Sequence, residues 1–274
     1  MKNNLKIFCL SMNPNHLNLI KSLNYVPVGL GVEKFTNEWM QDKTLKNISY
    51  KNKFYGEYTF HFWIWKNYLD KINSNWIGFC QYRKFFLNKK IINNDISIDQ
   101  IRKFSFKSVN ENLNEYDCIL GEKFSVENYK FTKVFKNYLF DFIINPQRIF
   151  FKKYRTIKLH FDLYHGRGNL DKAIDLLDHE NRDNFRHFVN LKTSFNPHNM
   201  FICKKEYLVK YYESIFPWLE RCEKIFGFDN LNGYGMQRIY GFLAERYLSY
   251  WFSKNCRVKE LPIIVKDLSD YKNF

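Results

Sequence analysis

Several short, nearly continuous apolar runs punctuate this chain, and most of them give way abruptly to polar residues. Leu5–Leu10 (LKIFCL), Trp76–Cys80 (WIGFC), Tyr116–Gly121 (YDCILG) and Leu261–Val265 (LPIIV) have the length and bulk of buried strands. Phe195–Cys203 (FNPHNMFIC) reads as a turn at Asn196-Pro197 running into another strand, with His198 and Asn199 at its start. The second run organises the rest, because Trp76–Cys80 turns directly into Gln81-Tyr82-Arg83-Lys84. A buried strand that ends in polar groups delivers them to the rim of a sheet, and in open α/β sheets that rim is where ligands bind. The same pattern also describes an ordinary strand leaving the core with solvated charges.

Between these runs the apolar spacing becomes helical. Glu57–Leu69 (EYTFHFWIWKNYL) places Phe60, Trp63, Ile64, Asn67 and Tyr68 at helical intervals, with Tyr55-Gly56 marking the start. Glu57 falls in the first turn, where the helix dipole favours a carboxylate. The functional alternative is that Glu57 and His61, four apart, point together into a site. Further helices are expected over Leu170–Leu177, Tyr207–Phe226 and Met236–Phe252, the last opened by Gly233-Tyr234-Gly235. Glu245 and Arg246 in the middle of so apolar a helix predict partly buried charge, which persists only when paired or functional. Tyr25–Gly31 (YVPVGLG) reads as an irregular connection, and Asn88–Asn114 has little period. Ser125–Thr156 is aromatic and basic, fitting either helical core with a solvated basic face or a lobe facing a membrane or an acceptor.

Composition narrows the class. With 274 residues, 45% of them hydrophobic, the chain is long enough for one large core and too apolar to be disordered. No stretch approaches the roughly 18 to 20 apolar residues that span a bilayer, and Met1–Cys9 passes straight into a strand pattern with no signal-peptide core. These features predict a cytoplasmic protein. Cys9, Cys80, Cys118, Cys203, Cys222 and Cys256 are widely spread without a C-x-x-C pair, which argues for core thiols over a zinc site or a disulfide framework. The formal charge of +15 calls for an anionic partner. Nucleic acid is not expected, since the basic residues are scattered and no recognition motif is present. Peripheral contact with an anionic inner-membrane surface, or a phosphorylated small molecule, fits the basic and aromatic content better.

Two loops could carry chemistry. Ser11–Asn15 follows the first strand as a nucleotide-binding loop would, but it holds neither G-x-G-x-x-G nor a Walker lysine. His165-Gly166-Arg167-Gly168-Asn169 precedes a helix with Asn169 available as its cap. Two glycines around an arginine would let backbone N–H groups and a guanidinium approach a phosphate together; a plain capped loop fits the same spacing.

Five segments, FYGEYTFHFWIWKN (Phe54–Asn67), WIGFCQYRKFF (Trp76–Phe86), YHGRGNLDKAIDLL (Tyr164–Leu177), FNPHNMFICKK (Phe195–Lys205) and GYGMQRIYGFLAERYLSYW (Gly233–Trp251), stand in an order that resembles the bacterial family known as domain of unknown function 4422. That family is associated with glycosyltransferases of capsule, lipopolysaccharide and other surface-glycan clusters, and the likeness runs over roughly residues 5 to 265. Two stretches depart from it. Gln81-Tyr82-Arg83-Lys84 stands where many relatives carry His-Tyr-Arg-Arg, and Asp42-Lys43-Thr44-Leu45-Lys46-Asn47 stands where relatives carry Asp-Asn-Thr-Gly-Asp-Asn.

The resemblance implies an α/β, GT-A-like single domain spanning residues 1–274. Its central mixed β-sheet would be flanked by helices and carry a helical aromatic and basic insertion, with a nucleotide-sugar-binding part at 5–122, the insertion at 123–190 and an acceptor-side part at 191–265. It further implies transfer of an unspecified sugar, with inversion, from a nucleotide-sugar donor to a glycan or lipid-linked glycan acceptor. Such transfer needs a base for the acceptor hydroxyl, and Glu57, Asp229 and Glu245 are the candidates. It also needs compensation for the departing diphosphate, commonly by Mn or Mg on an Asp-x-Asp motif, which this chain lacks. Arg83, Lys84 and Arg167 could stand in for the metal, with Gln81, Tyr82, His165 and Asn169 completing a donor site. His61, His198, Asn199, Tyr234 and Arg238 are candidate acceptor or sugar contacts.

Overall fold

The computed structural model describes residues 4–91, 96–128 and 143–271. Part of the aromatic and basic stretch read over Ser125–Thr156 falls on residues 129–142, outside those described. The chain divides into two compact units. The first comprises residues 1–122, 198–214 and 252–274, and the second 123–197 and 215–251.

The first unit is a mixed sheet with helices packed on it. Its strands are β1 (Leu5–Ser11), β2 (Val26–Gly29), β3 (Met40–Gln41), β4 (Trp76–Gln81), β5 (Lys84–Phe86) and β6 (Cys118–Gly121). A short strand pair of the second unit follows, β7 (Phe124–Ser125) with β8 (Ser194–Phe195), before the sheet resumes with β9 (Phe201–Lys204), β10 (Val258–Leu261) and β11 (Ile263–Val265). The order across the sheet is β10-β6-β9-β4-β1-β2-β3, with β5 pairing both β4 and β11. Strands β4, β1, β2 and β3 run parallel, so their carboxyl ends share one edge, and β9 lies antiparallel between β4 and β6.

The central strands are buried on both faces, which is why β1 and β4 read as continuous apolar runs without alternation. At Gly78 a Cβ would come within 2.8 Å of Ile202 on β9, so the middle of β4 has room only for glycine. On one face Phe8, Phe79 and Phe201 interlock at centroid distances of 5.6 and 5.2 Å, and Phe252 extends the layer at 5.1 Å. Each such buried ring contributes about 2 kcal/mol from its removal from water. The helix Tyr58–Asn67 covers this layer and buries Tyr58, Thr59, Phe60, His61, Trp63 and Ile64, so it is apolar around most of its circumference. The free cysteines follow the expectation: Cys9, Cys80, Cys118, Cys203 and Cys222 are buried and Cys256 is partly so.

Three elements differ from the sequence reading. Val26–Gly29 is a strand and not an irregular connection. Pro27 is tolerated because β3 pairs only with Val28 and Gly29, so no bond to β3 is lost at the proline. Ile98–Phe104, inside the stretch without period, is a helix opened by a reciprocal capping box between Ser97 and Gln100. The helix expected over Met236–Phe252 is instead a short turn of helix, Tyr234–Gln237, followed by Ile239–Asn255.

The second unit is built from helices. Ile157–His165 is capped by the Thr156 side chain and His179–Leu191 by Asp178. Between them lies Asn169–Asp175. Trp218 anchors this unit: its indole N–H donates to the Ala173 carbonyl at 2.7 Å, and its ring lies 4.9 Å from Tyr247 and 6.1 Å from Phe185.

Candidate active site

Strand β4 carries Gln81 out of the core at the carboxyl edge of the parallel strands, and Tyr82 and Arg83 form the tip of the hairpin that leads into β5. Three partners fix the Gln81 amide. Its nitrogen donates to the Glu57 carboxylate and, at 3.0 Å, to the His198 carbonyl, while its oxygen accepts from the Lys84 ammonium at 3.4 Å. Glu57 is the residue just before the helix Tyr58–Asn67; its side chain makes no capping bond and accepts from Gln81.

His198 and Asn199 meet this cluster from the antiparallel side. Both adopt positive φ, +81° and +53°, immediately before β9. Left-handed backbone at two successive residues other than glycine is strained, and such strain gathers at functional sites. Burial, with a further push from Lys84, lowers the His198 pKa to about 3, so its ring is neutral at physiological pH. A neutral imidazole beside a lysine offers a hydrogen bond without adding a second positive charge.

Behind the hairpin tip runs a strap. Lys266 N–H donates to the Arg83 carbonyl at 3.0 Å and Leu268 N–H to the Tyr82 carbonyl at 3.1 Å, with the Leu268 side chain fully buried. Ser269 Oγ lies 3.0 Å from His16 Nε2, whose Nδ1 lies 2.9 Å from Ser11 Oγ at the end of β1, and the His16 ring rests 5.1 Å from Tyr82. Burial lowers the His16 pKa against the opposing pull of Asp267. Arg83 itself is exposed, with its guanidinium 5.0 Å from the Tyr82 ring.

Sequence reasoning missed His16 and gave Asp42 no role beyond opening a stretch that departs from the relatives. The Asp42 carboxyl, 1% exposed at the end of β3, has a pKa raised by burial. Its loop is stapled to the helix Tyr58–Asn67 by Trp63, whose indole donates to the Thr44 carbonyl at 2.8 Å, and by Asn67, which donates to the Lys46 carbonyl at 2.8 Å. A loop after the first strand of a parallel sheet lies on its ligand edge, and that position could have flagged His16. Asp42 follows a strand of two residues, too short to recognise.

Several expected residues have other work. His61 is not a sugar contact: it is wholly buried against Phe79 at 4.3 Å and bonded to the Tyr212 hydroxyl at 2.7 Å, and burial lowers its pKa to about 3. In the second unit the phosphate loop is also overturned. Gly168, not Asn169, is the cap residue, and its N–H donates at 3.1 Å to Asp162, so an internal carboxylate takes the place proposed for an anion. The Asn169 amide turns back to the His165 carbonyl at 2.9 Å. Lys158 bridges Asp162 and Asp171 at 2.7 and 2.8 Å. Arg167 is exposed beside this network.

His165 is buried, stacked 4.0 Å from Phe242 and 3.0 Å from the Gly235 carbonyl. Gly235 approaches so closely that a Cβ there would lie 2.1 Å from the Tyr164 carbonyl. Glu245 forms an ion pair with Arg246, as its place in an apolar helix predicts. Arg246, 2% exposed, also stacks 3.9 Å over Phe195 and lies 3.3 Å from His160. Tyr234 and Asp229 are exposed, and the Arg238 guanidinium lies 5.8 Å from the Tyr234 ring. The structure therefore brings Glu57, Gln81, Lys84 and His198 together in the first unit, while His165, Arg167, Asn169, Asp229, Tyr234, Arg238 and Glu245 belong to the second.

The donor set does not fit a divalent cation. Among the described residues no three His, Cys, Asp or Glu side chains are placed to hold a metal ion, and the Glu57 cluster already contains the Lys84 ammonium. No helix of the described residues is long and apolar enough to cross a membrane.

The family described as domain of unknown function (DUF4422) matches residues 6–256. A solved structure of the bifunctional glycosyltransferase WbbM in its apo state is similar in fold, with a TM-score of 0.65 over 96% of this chain at 21% identity. The chain spans 45% of that protein's length. No curated protein matches it.

Proposed function

This chain belongs to the DUF4422 family, and from that premise we propose that it is a glycosyltransferase that moves a sugar from a nucleotide-sugar donor to a growing surface glycan such as capsule or lipopolysaccharide. The likeness in fold to a glycosyltransferase supports the general class. The observation that carries the reading is the cluster of Glu57, Gln81, Lys84 and His198 at the carboxyl edge of β4, where a carboxylate and an ammonium share one amide between them.

In this reading the acceptor hydroxyl attacks the anomeric carbon as the bond from that carbon to the diphosphate breaks. Glu57 receives the hydroxyl proton, and Gln81 holds the carboxylate in place. The electron pair left on the diphosphate is met by Lys84 and, from the hairpin tip, by Arg83, whose guanidinium matches phosphate oxygens in pairs. Neutral His198 supplies a hydrogen bond to the donor without repelling Lys84. Attack opposite the leaving group would invert the anomeric configuration.

The test is release of free nucleotide from a panel of UDP-, GDP-, CMP- and TDP-sugars, preceded by a thermal-shift screen of the same donors. Turnover with one of them, surviving EDTA and lost in Lys84→Ala and Glu57→Gln, is the expected result. Strict dependence on manganese would overturn the role given to Lys84 and Arg83. A chain stabilised by glycans that releases nucleotide from no donor would instead be a binding module on the same fold.

A further inference from the structure

The second unit presents a surface that the transfer chemistry does not use. Ile143, Ile144, Phe150, Phe151 and Leu191 are each more than half exposed, Phe150 to 75%. Tyr154 joins them at 41%, with its ring 6.2 Å from Phe151. A single exposed apolar side chain needs no explanation, but a contiguous group does. Contiguity here rests on two observations. Ile157 N–H donates to the Lys192 carbonyl at 2.9 Å, which ties the end of the helix His179–Leu191 to the segment after Tyr154. Tyr154, Lys153 and Leu191 also line one cavity of about 380 Å³.

Along the segment itself the charge has one sign, with the Glu127 carboxylate lying beyond Leu191 on the Thr193 hydroxyl at 3.1 Å. From Ile143 to Phe161 the sequence contains no Asp or Glu, and it contains Arg148, Lys152, Lys153, Arg155 and Lys158. Two of these are engaged internally: Arg155 donates to the Glu127 carbonyl at 2.7 Å, and Lys158 pairs with Asp162. Lys152 and Lys153 are exposed and form no ion pair among the described residues, with Lys153 lying 5.1 Å from the Tyr154 ring. Exposed Ile and Phe next to exposed lysines, with Tyr at the margin, is the composition that lies in a lipid headgroup layer: the rings enter the acyl boundary while the ammonium groups meet lipid phosphates. A protein partner of matching shape would leave the one-sided charge unexplained.

We infer that the surface formed by Ile143, Ile144, Phe150, Phe151, Tyr154 and Leu191, with Lys152 and Lys153 beside it, is a docking site for an anionic bilayer, holding the chain on the membrane by side-chain insertion and lysine contacts. No spanning segment is required, and the inference stands whether or not the transfer reaction is as proposed.

Co-sedimentation of the full chain with vesicles tests it. Wild type is expected to pellet with equimolar phosphatidylcholine and phosphatidylglycerol, and to remain largely in the supernatant with phosphatidylcholine alone. Lys152→Gln with Lys153→Gln should weaken the partition coefficient about 30-fold, from roughly a factor of five for each basic residue at such a surface. That loss should shrink in 0.5 M salt, where charge is screened within about 4 Å. Phe150→Ser with Phe151→Ser should weaken binding about tenfold or more at either salt concentration. Unchanged melting of both variants shows that the fold is intact. Wild type left in the supernatant with anionic vesicles overturns the proposal, as does either folded variant sedimenting like wild type. Retention on heparin without vesicle binding overturns it in favour of a soluble polyanion.

Discussion

The edge of β4 and the interior of the second unit treat the same residue types differently. At the edge of β4, Lys84 and Glu57 are joined through the neutral Gln81 amide, and the backbone beside them is held in a strained left-handed form. In the second unit, Lys158 is consumed by Asp162 and Asp171, and Arg246 by Glu245 and the face of Phe195. Charge neutralised inside a buried ion pair builds architecture, whereas Glu57 and Lys84 each bond one neutral amide at the sheet edge where open α/β folds bind ligands. The contrast explains why the glycine-rich loop ahead of Asn169 misled: its amide had already found an anion, and the anion was part of the protein.

The sharpest way to break this contrast is at Arg246. Arg246→Ala removes the ion pair to Glu245 and the stacking over Phe195 at a position only 2% exposed, and is expected to cost about 3 to 5 kcal/mol of stability. Arg246→Lys should not rescue it, because an ammonium cannot reproduce the flat stacking over Phe195. Urea unfolding checks both, and an unchanged midpoint would remove the structural role assigned to this pair. In the first unit the reverse is expected. Lys84→Ala should leave the midpoint within about 0.5 kcal/mol but lower kcat/KM by roughly 100- to 1,000-fold, the scale for loss of one preorganised charge contact. Loss of stability with activity retained would invert the assignment.

Acid sharpens the comparison next. His61 has a pKa near 6.5 when unfolded and about 3 when folded, because burial excludes the charged ring. The unfolded state therefore takes up a proton that the folded state refuses, so stability is complete above about pH 6.5 and falls as pH drops towards 3. At pH 4 the loss from His61 should reach about 3 kcal/mol, and His198 shifts in the same direction. Urea midpoints at pH 7, 5.5 and 4 should decline steeply in wild type and less steeply in His61→Phe. Equal slopes would mean that other groups govern acid unfolding. The smallest effect is expected at the strap, where Ser269→Ala removes one bond to His16 worth about 1 kcal/mol. It should raise the donor KM about fivefold with kcat unchanged; no change in KM would separate the strap from donor binding.

How much of this was readable in advance depends on the range of the interaction. The strands β1, β4 and β6 were legible because burial on both faces leaves an unbroken apolar run, and the turn from Cys80 to Gln81 showed where a strand meets polar surroundings. Strand β2 was obscured by Pro27, whose tolerance depends on how short its neighbour β3 is, and the helix Ile98–Phe104 by attention to period over its Ser97 and Gln100 cap. The Gln81–His198 contact joins residues 117 apart, and nothing local announces it. His61 was misjudged because a histidine four residues from a carboxylate looks the same on paper whether its face points inward or outward.

The bond between His16 and Ser269 closes a loop of 253 residues, and through the strap it settles the tip of a hairpin that is itself a local structure. Long closures are among the slowest steps in assembling a chain, since their entropy must be lost before the contact repays it. The hairpin can therefore form early yet acquire its final orientation only at the close of folding. A nascent or clipped polypeptide that stops short of Lys266 would hold most of its sheet and still lack a settled hairpin tip, a built-in delay between forming the sheet and fixing its ligand-facing edge.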